Sequence, residues 1–276
     1  MASADPLAGL SPKTGTVTLD EAQAEIALGD EYRFYDAANA RRIIVEAWDN
    51  PENDADGVLG IVMPEPDASG AQPWGAVVTW EPIGWVSAEN ARDADYDALM
   101  AQMQAEIREG NAQRRADGFS DAQLLGWAQR PEHDSVSETV TWARELTFFD
   151  EEPNTLHYDM RLLGRHGVLS MNVVGTMPQL GEIGSAARDL AERTRFMPGA
   201  RYDDFDAESD EVAAYGVAGL VASGAGVAVA KNLGAFAVLA KFLQPLGIAL
   251  LVLAAAMVIP FRRLLGRGKT SDDARR

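Results

Sequence analysis

Apolar residues recur at every second position through the middle of the chain. Val136, Val140, Trp142, Leu146 and Phe148 share one parity, with Ser, Thr and Glu largely on the other. Leu156, Tyr158, Met160 and Leu162 continue the alternation after the turn DEEPN, and Gly164-Arg165-His166-Gly167 turns the chain again into Val168–Val174. A period of two belongs to strands with one buried face, so the pattern predicts a three-stranded antiparallel meander. Val58–Met63 and Ala76–Glu81, either side of a Pro-, Gly- and Ser-rich loop, read as two further strands, and EYRFY (31–35) as a short one.

Helical spacing appears between these runs. In residues 95–116, Tyr96, Leu99, Met100, Met103 and Ile107 fall on one face, while Glu106, Arg108, Glu109, Arg114 and Arg115 fall on the other. After Pro178 a helix to about Arg195 carries Leu180, Ile183, Ala187 and Leu190 on one side. Residues 19–29 and 36–48 have helical composition, the second opened by Asp36 as N-cap. Runs of strands flanked by helices, without regular strand-helix alternation, predict an α+β fold: a mainly antiparallel sheet with packing helices.

The last quarter reads differently and predicts a C-terminal transmembrane helical segment. Residues 242–261 hold 20 positions without a charge, which as a helix spans roughly 30 Å, the thickness of a bilayer's hydrocarbon core. Lys241 precedes them and Arg262, Arg263, Arg267 and Lys269 follow, so the denser positive flank, and with it the tail, is expected in the cytoplasm. A second apolar stretch, 212–230, is 11/19 Ala or Gly, and its insertion is marginal. Its line of small residues, Ala214, Ala218, Ala222, Gly226 and Ala230, suits close helix packing, either against the 242–261 helix or against another copy. The expected layout is a flexible N-terminus (1–15), a soluble acidic α+β domain (16–205), an acidic linker (206–211), an apolar helical region with the main span (212–261) and a basic tail (262–276).

Charge sharpens this division. Residues 1–210 hold 16 Lys or Arg against 39 Asp or Glu, whereas residues 211–276 hold eight against three. So acidic a domain repels phosphate backbones, which excludes nucleic acid as the expected partner. The N-terminus has neither a basic region nor an apolar run, so no signal peptide is expected within the numbered chain. Ala2-Ser3-Ala4 before Asp5 nevertheless reads like the end of a signal-peptidase site. With a leader, one span places the acidic domain outside; without one, two spans keep both ends in the cytoplasm.

Candidate chemistry is sparse. The chain has three histidines and no cysteine, leaving few ways to build a transition-metal site, and no cofactor, metal or catalytic residue is expected. His157, Asp159 and His166 form the best polar cluster. Arg161, Arg165 and His166 make a positive spot suited to an anionic group or to pairing with Asp159 and its neighbours. Trp74 and Trp85, beside Gly and Pro, suit a groove for a peptide or glycan. Asp204, Asp206, Glu208 and Asp210 imitate the first calcium ligands of an EF-hand, but Ser209 stands where the turn glycine belongs.

The strings GWAQRPEHD (126–134), WARELTF (142–148), LHYDMRLLGRHGVLSMNVV (156–174) and FMPGARYDDFDAESDEVAAYG (196–216), ahead of an Ala/Gly-rich segment and a basic tail, resemble the DUF2167 family over roughly residues 15–267. The resemblance implies a membrane-anchored bacterial envelope protein and supplies no catalytic residues; the fold it brings to mind is a distant likeness to PsbP-type antiparallel sheets. The leading expectation is a non-enzymatic interaction or sensing module in the bacterial inner membrane. Its soluble domain is periplasmic or otherwise extracytoplasmic, and its partners are the lipid bilayer, envelope proteins or itself. The alternatives are an envelope hydrolase using Asp159, His157 or His166, and a structural homo-oligomerising membrane protein.

Overall fold

A seven-stranded antiparallel sheet organises the structure, a computed structural model that describes residues 9–48, 50–65, 74–89, 91–116, 120–148 and 153–223. The chain runs through β1 (Thr16–Leu19), β2 (Ala24–Ala27), β3 (Tyr32–Asp36), α1 (Ala37–Arg42), β4 (Val58–Pro64), β5 (Ala76–Glu81) and α2 (Tyr96–Ala116). Then follow β6 (Ala122–Asp134), β7 (Thr139–Phe148), β8 (Thr155–Leu163), β9 (Val168–Thr176), α3 (Leu180–Arg193), β10 (Thr194–Phe196) and α4 (Val217–Ser223). The large sheet has the order β3-β4-β5-β9-β8-β7-β6, and β1-β2-β10 form a separate small sheet. The α+β expectation holds: the strands are antiparallel and the helices few.

Each face of the large sheet has its own cover. Leu156, Tyr158, Met160 and Leu162 of β8, with Leu169, Met171 and Val173 of β9, pack on α3 through Ile183, Ala187 and Leu190 and on the small sheet through Val17, Leu19, Ala24 and Ile26. On the opposite face, Val140 and Trp142 of β7 meet α4 through Leu220 and Val221, while Leu146, Phe148 and Val174 meet Met100, Met103 and Ile107 of α2. α1 begins as its sequence directs, with the Asp36 carboxylate accepting from the Asn39 N–H, and packs over Tyr35, Ile61 and Met63.

Three expectations are corrected. Residues 19–29 form a hairpin instead of a helix, because Val17 and Leu19 and then Ala24 and Ile26 alternate inward with period two, and Gln23 at φ 49° breaks the run between them. Val136 is not a strand residue but the 94% exposed tip of the β6–β7 hairpin. The meander has four strands rather than three: β6, interrupted by register shifts around Gly126 and Pro131, hides its alternation and carries His133. Its outer edge is covered by α2, where buried Asn111 donates to Ala122 O and accepts from Ala122 N–H, both at 2.9 Å.

Among the described residues no helix is long and apolar enough to cross a membrane. The expected span 242–261, its flanking residues Lys241, Arg262, Arg263, Arg267 and Lys269, and residues 224–230 with Gly226 and Ala230 lie outside the described residues. The beginning of the second apolar stretch lies inside them and is α4. There Ala222 packs against Met100, Met103, Leu146 and Phe148, Ala218 is half-buried, and Ala214 precedes the helix, exposed.

Candidate functional site

The polar residues of β8 are interior. Arg144 of β7, His157, Asp159 and Arg161 of β8, and Ser170 and Asn172 of β9 are all buried, on the face covered by α2 and α4. Arg144 Nη2 donates to Asp159 Oδ2 at 2.9 Å, and Arg161 Nη2 approaches Asp159 Oδ1 at 3.4 Å. Arg161 also donates to Asn172 Oδ1 at 2.7 Å and lies over the Trp142 ring, 5.1 Å from its centroid. Glu81 completes the group, accepting from Ser170 Oγ at 2.6 Å and standing 3.9 Å from Arg161. Two arginines are thus set against two carboxylates in the sheet interior, where low dielectric makes each pairing matter.

His157 sits in the same row, and its Nε2 has no hydrogen-bond partner among the described residues. Burial, reinforced by the Arg144 charge and opposed by Asp159, pushes its imidazole down to about 3, so it is neutral at physiological pH. His166 is on the exposed turn between β8 and β9. The sheet therefore buries His157 and Asp159 while leaving His166 outside, and a cluster of these three is not assembled. No group of three or more metal-ligating side chains occurs among the described residues.

The other sequence candidates hold the fold. Arg165 grips Asp210 with two hydrogen bonds, 2.7 and 3.0 Å, and donates to Gly199 O; that guanidinium keeps the Asp210 carboxyl down at about 2. The expected linker 206–211 is thereby tied to the β8–β9 turn, and Asp206 closes it further by accepting from Glu208 N–H and Ser209 Oγ. Trp74 is buried, its indole N–H donating to Glu182 at 2.9 Å. Trp85 is half-buried and stacks with Tyr202 and Phe205, at centroid distances of 4.9 and 4.4 Å. Both indoles are thus packed within the fold.

An open groove lies elsewhere, where the β6–β7 hairpin stands beside α3 and β10. Its first part, about 340 Å³, is polar: Gln129, Thr141 and Tyr158 line it together with His133, Glu132 and Arg188. Gln129 ties these together, donating to Thr141 Oγ1 at 3.0 Å and accepting from the Tyr158 hydroxyl at 3.3 Å. The second part, about 440 Å³, is more apolar, with Val136, Leu162, Leu163 and Phe196 beside Arg195 and Arg201. Ser137, Ala191 and Glu192 line both parts, which makes them one groove. His133 Nε2 and Glu138 Oε2, 2.9 Å apart, brace the hairpin tip.

The arginines of the groove differ from the rest. Nine of the 15 arginines in residues 1–210 hold a carboxylate, and Arg114 donates to Ser120 O. Of the other five, Arg108 is on α2, while Arg92, Arg188, Arg195 and Arg201 all line the groove, exposed and without a salt bridge among the described residues. In a domain with more than twice as many acids as bases, an arginine without a carboxylate is the exception. Sequence reasoning missed these four because the groove brings together the hairpin tip and α3 across some fifty residues; the one local hint was that Arg188 flanks the apolar face of α3.

A family model described as "Protein of unknown function (DUF2167)" matches residues 11–257. No curated protein matches the chain significantly. Among solved structures, the solution structure of cyanobacterial PsbP (CyanoP) from Synechocystis sp. PCC 6803 is similar with a TM-score of 0.34 at 10% identity, covering 71% of this chain and 99% of that one.

Proposed function

The chain belongs to the DUF2167 family, whose description names no activity, and from that premise we propose that it is a non-enzymatic binding module of the bacterial envelope. In this reading residues 242–261 hold it in the inner membrane, the folded domain lies on the extracytoplasmic side, and the basic tail lies in the cytoplasm. The groove between the β6–β7 hairpin and α3 is the surface that engages a ligand or an envelope partner. The observation that carries the reading is the gathering of Arg92, Arg188, Arg195 and Arg201 along that groove without a salt bridge among the described residues. A hydrolase built on His157 and Asp159 is disfavoured because both are buried beneath helices, where a substrate has no access. The uncharged run at 242–261 and the basic residues after it support the anchor.

Photocrosslinking in living cells tests the reading. A benzophenone amino acid replacing Ser137, which lines the groove, is expected to give discrete adducts, while the same probe replacing exposed Gln102 on α2 gives none. Adducts at neither position, or equal adducts at both, would contradict a groove-specific partner.

A further inference from the structure

We propose that the groove takes an extended acidic peptide segment that adds a strand to the free edge of β10; the proposal rests on the groove being the binding surface. β10 pairs with β2 alone, at the end of the small sheet, and all three of its residues line the groove. Met197 N–H donates to Gln23 O. In an antiparallel ladder hydrogen-bonded residues alternate, so Arg195, two residues back, also faces β2, and the N–H and C=O of Phe196 point away from it. Among the described residues those two groups meet no backbone partner. They offer an incoming strand one main-chain donor and one acceptor at an open sheet edge, the contact that β-augmentation uses.

The walls define the rest of the ligand. Val136 and half-buried Phe196 receive an apolar side chain, and the arginines without a salt bridge among the described residues receive carboxylates. Glu132, Asp134 and Glu192 are interleaved with those arginines, which opposes a dense polyanion but tolerates carboxylates spaced along an extended chain. Phe196 is held at this edge by packing: its ring stands 6.1 Å from that of Trp80 and lies so near Gly164 that a Cβ there would come within 2.8 Å of it.

The full-length chain in detergent would be titrated with a fluorescein-labelled heptapeptide alternating Glu and Leu. The expected result is saturable binding, weakened about tenfold or more by N-methylation of the central leucines, by Lys in place of Glu, and by the double substitution Arg188→Glu with Arg195→Glu. Equal binding of the N-methylated peptide would overturn strand addition, and equal binding of the Lys peptide would overturn the acidic ligand. Competition by phosphatidylglycerol vesicles but not by unlabelled peptide would overturn it in favour of a lipid surface. Absence of peptide binding while Ser137 still crosslinks would sink the peptide proposal and leave the groove reading standing; absence of Ser137 adducts as well would remove both.

Discussion

Asp159 joins two strands by holding Arg144 of β7 and Arg161 of β8 in one buried group. Removing one partner of such a group leaves charges inside the protein without compensation, so Asp159→Ala should destabilise the domain by about 3–5 kcal/mol, read from urea denaturation. A loss below about 1 kcal/mol would mean that the pairing contributes little. Two titrating residues add opposite pH slopes. His157, held near 3 in the fold against about 6.5 when unfolded, lets the unfolded chain bind the extra proton, so its contribution to stability is complete above 6.5 and is lost as pH falls toward 3. Asp54, which burial pushes up to about 6, favours the fold while protonated, and its contribution is lost as pH rises from about 4 to 6. Relative to the parent, His157→Gln should therefore flatten or reverse a rise in stability across pH 4–6, and Asp54→Asn should steepen it. Parallel curves for all three proteins would refute both assignments. The sequence grouped His157 with Asp159, and Arg161 with Arg165 and His166; that His157, Asp159 and Arg161 share a buried face depends on α2 and α4, which come from distant parts of the chain.

Where the apolar alternation is unbroken, the elements were legible: β7, β8, β9 and the amphipathic α2 and α3 follow their patterns. Legibility failed where the backbone departs from a regular ladder. β6 is bulged at three places, so its buried positions do not keep parity, and the β1–β2 hairpin is built from residues of helical propensity that only the tertiary sheet overrides. Apart from Arg188's place beside the apolar face of α3, the groove arginines gave no local signal, because the groove exists only once the hairpin meets α3. α4 is the most informative element. It opens the Ala/Gly-rich stretch expected to pack in the membrane, yet Leu220 and Val221 are fully buried against Val140 and Trp142. Leu220→Ala should then cost the folded domain about 2–5 kcal/mol, measured by denaturation of the full-length chain. No change would mean that this helix is not part of the folded core.

On the scale of the whole molecule the charge is unevenly placed. Most arginines of the acidic domain serve its interior or its surface ion pairs, four are gathered along one groove, and residues 262–276 are rich in Arg and Lys. In the function proposed above, residues 242–261 hold the domain in the membrane and its groove faces the extracytoplasmic space. Because the chain contains no cysteine, the most direct test is single-cysteine labelling of the natural full-length protein in intact cells with a membrane-impermeant maleimide, with lysed cells as control. Ser135→Cys, on the groove, should label in intact cells, and Ser271→Cys in the tail should label only after lysis. Protection of both positions until lysis would place the groove in the cytoplasm and contradict the account.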